Sequence, residues 1–123
     1  MTRERSDLGR LGEDLAAQRL TQEGYRIVAR NYRNVFGEID IIAQDGQTLC
    51  FIEVRSRTKT CYGHPFESIS PAKQKKIIRT AQGYLAREDS LDIDARFDAV
   101  AVIPQETGGY SVEILKNAFE IGQ

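Results

Sequence analysis

The chain has no excess of positive charge: 17 Lys and Arg stand against 18 Asp and Glu, for a formal net charge of -1. It therefore lacks the global basic field that draws proteins to polyanions, and any polyanion has to meet a local patch. No apolar run approaches the roughly 18 residues of a membrane helix. The opening MTRERSDLGRLGED carries no apolar signal core and reads as the start of a cytosolic protein. The two cysteines, Cys50 and Cys61, form no CxxC pair, so they are expected as free thiols in a reducing compartment. Internal repeats, low-complexity tracts and Pro/Gly-rich linkers are also missing. What remains is 123 residues, 41% hydrophobic and 28% charged. That suits one domain, residues 1–123, long enough to bury a core, with residues 1–6 as a tail.

The punctuation of the chain gives its elements. Ser6 or Asp7 can cap a helix that runs to about Glu23 and stops at Gly24. The stretch YRIVARNY (25–32) reads as a strand of imperfect alternation. Strands over 38–44 and 48–57 flank Asp45-Gly46, a hairpin signal. A loop, TKTCYGHPFES, leads to a helix with Ser70 as its cap and Pro71 in its first position, where a missing N–H costs nothing. Strands over 95–103 and 110–115 follow, and KNAFE is expected to add a short helical turn. The order α-β-β-β-α-β-β, with a helix between two strands, implies an α/β fold: a mixed sheet with helices on its faces.

Three carboxylates interrupt the apolar hairpin: Glu38, Asp40 and Glu53. Side chains alternate along a strand, so Glu38 and Asp40 share a face, as do Phe51, Glu53 and Arg55. With Asp45-Gly46 as the loop, Asp40 faces Phe51, Glu38 faces Glu53, and Asp40 is diagonal to Glu53. Such a cluster asks for a positive partner. That partner is either a structural one, Arg55 or a helix lysine, or a hard divalent ion such as Mg²⁺ or Mn²⁺, which suits carboxylate oxygens. In the first helix Glu13 lies in a stripe with Gly9, Ala16, Ala17 and Leu20, a costly place for an unpaired charge. It could instead simply favour the helix dipole from the first turn. Gly9 and Gly12 each cost about 1 kcal/mol relative to Ala, which suggests close backbone approach. In the second helix Lys75, Lys76, Arg79 and Arg87 lie on the solvent side, either solvated or touching phosphates. Lys73 and Gln74 fall beside the apolar stripe and can point toward the sheet. Asp98 is expected to pair with a helix arginine, and Cys50 to pack as a small hydrophobe.

Glu13, then GEID at 37–40, FIEVR at 51–55 and SPAKQ at 70–74, together resemble the YraN-like family of small bacterial proteins. That family is similar to the Holliday-junction resolvases and the restriction-endonuclease-like superfamily. The resemblance spans about residues 8 to 120. It implies a restriction-endonuclease-like fold and a Mg²⁺- or Mn²⁺-dependent nuclease acting on DNA, branched or otherwise structured, with a two-fold homodimer as one arrangement. It also implies that Glu13, Asp40 and Glu53 hold the metal with the backbone carbonyl of Val54, and that Glu38 and Gln74 stand behind them. Arg55 occupies the position of the motif lysine. Arginine keeps its proton, so it can clamp a phosphate but cannot serve as a base; either Lys73 or Gln74 supplies that position from the helix, or catalysis has been lost. A nucleic-acid-binding or scaffold module with a vestigial site is the other reading, and a purely structural domain with salt-bridged acids a third. A metal-free set of Tyr62, His64 and Lys73 is a remoter alternative.

Overall fold

The computed structural model describes residues 3–56, 63–90 and 92–120, and side chains from residue 9 onward. The apolar residues of its central strands alternate between two separate cores. On one face Ile41, Ala43, Cys50, Ile52, Val100 and Val102 pack against Ala16 and Leu20 of the first helix. On the other, Ile39, Ile42, Phe51, Phe97 and Phe119 pack against Ile77, Ala81 and Leu85 of the second. Strands buried on both faces read as near-continuous apolar runs, as IDIIA and LCFI do.

The elements are α1 (Arg3–Gln22), β1 (Arg26–Asn34), β2 (Gly37–Asp45), β3 (Thr48–Ser56), a 3₁₀ turn (Pro65–Ser68), α2 (Pro71–Arg87), β4 (Ala95–Pro104) and β5 (Tyr110–Phe119). The sheet runs β1-β2-β3-β4-β5, with β3 and β4 parallel and the other pairs antiparallel. The parallel pair is what the α2 crossover requires. The expected mixed α/β sheet and its element order are thus what the chain forms. No helix among the described residues is long and apolar enough to cross a membrane.

Several local expectations change. The α1 helix begins at Arg3, before the expected cap, because Arg3, Glu4 and Arg5 are good helix formers with no breaker among them. Gly12 is buried, and a Cβ there would collide with Ser56 Oγ, so the close approach to β3 is real at that position. Gly9 has nothing within 4 Å of its would-be Cβ and makes no such approach. The hairpin loop is Gly46-Gln47, with Asp45 paired to Thr48. Gly46 takes φ +62° as the first loop residue, the position that a two-residue turn of this kind reserves for glycine. The cap of α2 is as expected: Ser70 Oγ accepts the Lys73 N–H at 3.2 Å. KNAFE does not turn helical but continues β5.

The reason for that last difference is Asp98. It is 0% exposed. Its carboxylate accepts from Tyr25 Oη at 2.9 Å, from Arg96 Nε at 2.8 Å and Nη2 at 2.9 Å, and from the Asn117 N–H at 2.9 Å. Its cation thus sits two residues earlier on the same strand and not on a helix. The bond to Asn117, whose φ is +56°, keeps the chain on the sheet through a bulge. Cys50 lies beside this network as a free, buried thiol, pushed up to about 12, first by burial and then by the Asp98 charge. Cys61 and Tyr62 lie outside the described residues.

Asp98→Ala leaves the Asn117 N–H and Tyr25 Oη without their buried acceptor, while Arg96 keeps Asp45 at 2.7 Å. The substitution should lower stability by about 3 to 5 kcal/mol in urea unfolding. A loss below about 1 kcal/mol would mean that the network is not what joins β5 to β4.

Candidate functional site

At the end of the β2–β3 hairpin the ladder stops being a ladder. The last paired rung is Ile41 with Ile52, and one step further the same register sets Asp40 across from Glu53. There the Val54 N–H is accepted by the Asp40 side chain, Oδ2, at 2.8 Å. The expected pairing was off by two residues. A shift of two would leave every side chain on its face, but the alternation of β2 breaks at Asp40: Ile39 and Ile42, three residues apart, pack in the same core, with Ile41 in the other, so the expected common face of Glu38, Asp40 and Ile42 is not kept. Glu53 and Arg55 follow Leu49 and Phe51 on the α2 face.

Glu53 is only 4% exposed. Its Oε1 lies 3.2 Å from Arg55 Nη2 and 3.7 Å from Lys73 Nζ. Burial first, and the charge of Asp40 second, push its carboxyl up to about 7, against the pull of Lys73 and Arg55. Asp40 is pushed up too, mainly by burial, with the charges of Glu13 and Glu38 adding to it. The Val54 N–H and Lys73 oppose the rise. Burial is the first cause of both rises, and neighbouring negative charge adds to it where Lys73 and Arg55 do not offset it. Among the buried side-chain nitrogens and oxygens of the described residues, Arg55 Nε alone has no hydrogen-bond partner. An idle guanidinium donor beside buried acids suits an anionic ligand.

The third acid of the expected metal set is committed elsewhere. Glu13 Oε1 accepts from Arg30 Nε and Asn31 Nδ2, each at 3.0 Å. Asp14 takes the other side of Arg30 at 2.7 Å. Asn31 has φ +54°, a conformation that asparagine tolerates better than most residues, and the kink accompanies the broken alternation of YRIVARNY. Arg30 and Asn31 are site residues that the pattern of charges alone did not single out. That imperfect alternation was their signal. Among the described residues no three His, Cys, Asp or Glu side chains come together in a set that could hold a metal ion. Glu38 pairs with Arg33 at 2.9 Å on an exposed surface, a contact worth little. Gln74 Nε2 donates to the Ile69 carbonyl at 3.0 Å. His64 is joined to Glu113 through Nε2 and accepts the Phe66 N–H through Nδ1.

Two open grooves meet at Lys73. One, of about 460 Å³, is lined by Ala72, Lys73, Lys75, Lys76 and Arg79. The other, of about 320 Å³, lies between α2 and the β1–β2 turn, where Arg33, Glu38, Lys73 and Lys76 face it. A basic surface that leads from the solvent side of α2 to a cation beside a buried carboxylate can seat a polyanion with one phosphate against the acids.

The raised acids make two predictions for the metal-free protein. Asp40→Asn keeps an oxygen for the Val54 N–H and removes the charge, so it should raise stability at pH 8. Asp40→Ala leaves that N–H bare and should cost about 1 to 3 kcal/mol. If Asp40→Asn also destabilises, the acid is a structural ion-pair partner. In the second case, Glu53 has a folded value above its unfolded one, so the fold favours its protonated form. That stabilisation is complete below about pH 4.5 and is lost as pH rises toward about 7. Each unit of difference is worth about 1.4 kcal/mol. Urea unfolding from pH 4.5 to 7.5 should therefore show a decline that Glu53→Gln flattens; an identical slope in the variant would contradict it.

The model of the "Uncharacterised protein family UPF0102" matches residues 12–102, which include Glu13, the hairpin acids, Arg55 and the whole of α2. A UPF0102 protein of Prosthecochloris aestuarii is 52% identical over 118 residues, covering 92% of this chain and 93% of the relative. That of Chlorobaculum tepidum is 50% identical over 120 residues, at 94% and 93%. That of Geobacter sulfurreducens is 44% identical over 114 residues, at 93% and 89%. The resemblance carried by GEID, FIEVR and SPAKQ and this full-length match point to one family, and the chain belongs to UPF0102.

Proposed function

We propose that this chain is a Mg²⁺- or Mn²⁺-dependent nuclease that hydrolyses phosphodiester bonds in DNA, branched or otherwise structured. The observation that carries the reading is the acid pair of buried Glu53 and half-buried Asp40, both pushed up first by burial and then by neighbouring negative charge, at the end of a basic groove. Mg²⁺ keeps several waters and commonly takes one or two carboxylates plus substrate oxygens, so two acids suffice as a donor set. Asp40 and Glu53 would hold the metal with the Val54 carbonyl, and Glu13 would join only by leaving Arg30 and Asn31. Bound there, the ion would neutralise phosphoryl charge and lower the pKa of a water.

The chain's own residues then have distinct tasks. Arg55, with its idle Nε, clamps the scissile phosphate and meets the negative charge that grows in the transition state. It cannot take a proton from water. Lys73 is held beside Glu53 and can contact the same phosphate. Lys75, Lys76 and Arg79 hold the flanking backbone. One observation favours the second reading, a binding module that does not cut. Glu13 is already neutralised by Arg30, and Lys73 already gives Glu53 a cation.

Linear, nicked, flap and four-way DNA, incubated with Mg²⁺ or Mn²⁺, decide between them. Cleavage by the wild type is expected, and Arg55→Lys should keep or raise it. Arg55→Ala should lower turnover by about a hundredfold with a smaller change in DNA affinity. If wild type and Arg55→Lys bind every form and cut none, the binding-module reading replaces the nuclease.

A further inference from the structure

The turn between β1 and β2 is apolar where a turn is usually polar. Val35 is 93% exposed and Phe36 48%. The tip is nevertheless fastened. Asn34 Nδ2 donates to the Thr80 carbonyl of α2 at 3.1 Å, and Asn34 Oδ1 accepts the Phe36 N–H at 2.9 Å. A Cβ at Gly83 would lie 3.2 and 3.3 Å from two carbons of the Phe36 ring, so the ring rests on the bare backbone of α2. Arg79 and Lys76 lie one and two turns back along the same helix, and Lys76 lines both grooves that reach Lys73. An aromatic fixed in place, half open, beside a row of cations leading to an acid pair is the combination that binds single strands: rings stack bases and cations hold phosphates. A second copy of the chain fits less well, because a symmetric contact through this tip would bring Lys76 and Arg79 against themselves.

We propose that Val35 and Phe36 form a stacking platform for an unpaired nucleotide of DNA, with its phosphates on Lys76 and Arg79, and that the platform directs the acid pair to flaps, branch points and single strands. It rests on the nuclease reading for the role of the acids, but not for the binding itself.

The chain contains no tryptophan, so Phe36→Trp installs a lone fluorescent reporter at the platform. Binding is measured with EDTA present, using oligothymidine and a duplex of equal length, each followed by anisotropy. A protein that binds but cannot cut still answers this test. The indole of Phe36→Trp should be quenched by oligothymidine and not by the duplex. Phe36→Ala should lose about tenfold in oligothymidine affinity, as one stacked base worth about 1 to 3 kcal/mol implies, and keep its duplex affinity. Lys76→Ala should weaken both and flatten the salt dependence by about one unit of slope. If Phe36→Ala melts early, Val35→Trp, at a position the fold hardly touches, takes over as the reporter. An emission unchanged at saturation, a wild type that binds neither DNA, or an early-melting-free Phe36→Ala that binds oligothymidine as tightly as wild type would overturn the platform.

Discussion

The hydrogen bond from the Val54 N–H to the Asp40 carboxylate is the contact on which the site depends. In an ordinary antiparallel hairpin that N–H would find a main-chain carbonyl on the neighbouring strand. Here a side chain takes the place. A carboxylate used in this way is held at the sheet's end, shielded from water, with its remaining oxygen lone pairs unsatisfied by the bond. It fixes Glu53, one residue before Val54, at the same rung. Two negative charges then share a space that neither the ladder nor the cores can relieve, and the surroundings have to supply cations.

The helices answer that demand unequally. From the α2 side Lys73 and Arg55 reach Glu53, but at 3.7 Å and 3.2 Å they do not bring it back to an ordinary value. From the α1 side comes another acid, Glu13, which adds to the repulsion on Asp40 even though Arg30 holds it. A structural ion-pair network would be expected to balance its charges. This one leaves both acids raised at its centre, with the buried Arg55 Nε beside them lacking a hydrogen-bond partner. The opposite corner of the sheet shows the contrast. Asp98 is more deeply buried than either acid, yet Arg96, Tyr25 and Asn117 satisfy it, and it ties β4 to Tyr25 and to β5.

Much of this was legible from the residues. The element order, the Ser70 cap and the common side of Glu53 and Arg55 follow from period and punctuation, which are local, whereas the break in alternation at Asp40 is not. The exact rung was not legible either. It turned on whether glycine stands second or first in a two-residue loop, and an Asp-Gly pair permits both. Contacts across the fold were hidden for a different reason. Glu13 meets Arg30 and Asn31 at separations of 17 and 18 residues, and Phe36 meets Gly83 across a helix, so no pattern within one element carries them. Asp98 was half legible: its cation two residues earlier obeys the strand period, whereas its hold on Asn117, which keeps β5 extended, is tertiary.

The central claim is that Asp40 and Glu53, raised first by burial and then by neighbouring negative charge, together take up a proton that a metal ion should displace. Calorimetric titration of Mn²⁺ into the protein at pH 6, repeated in buffers of different ionisation enthalpy, counts that proton directly. The account predicts binding coupled to the release of a large fraction of one proton, and loss of that release in Asp40→Asn. Binding without proton release, or no binding at all, would contradict it.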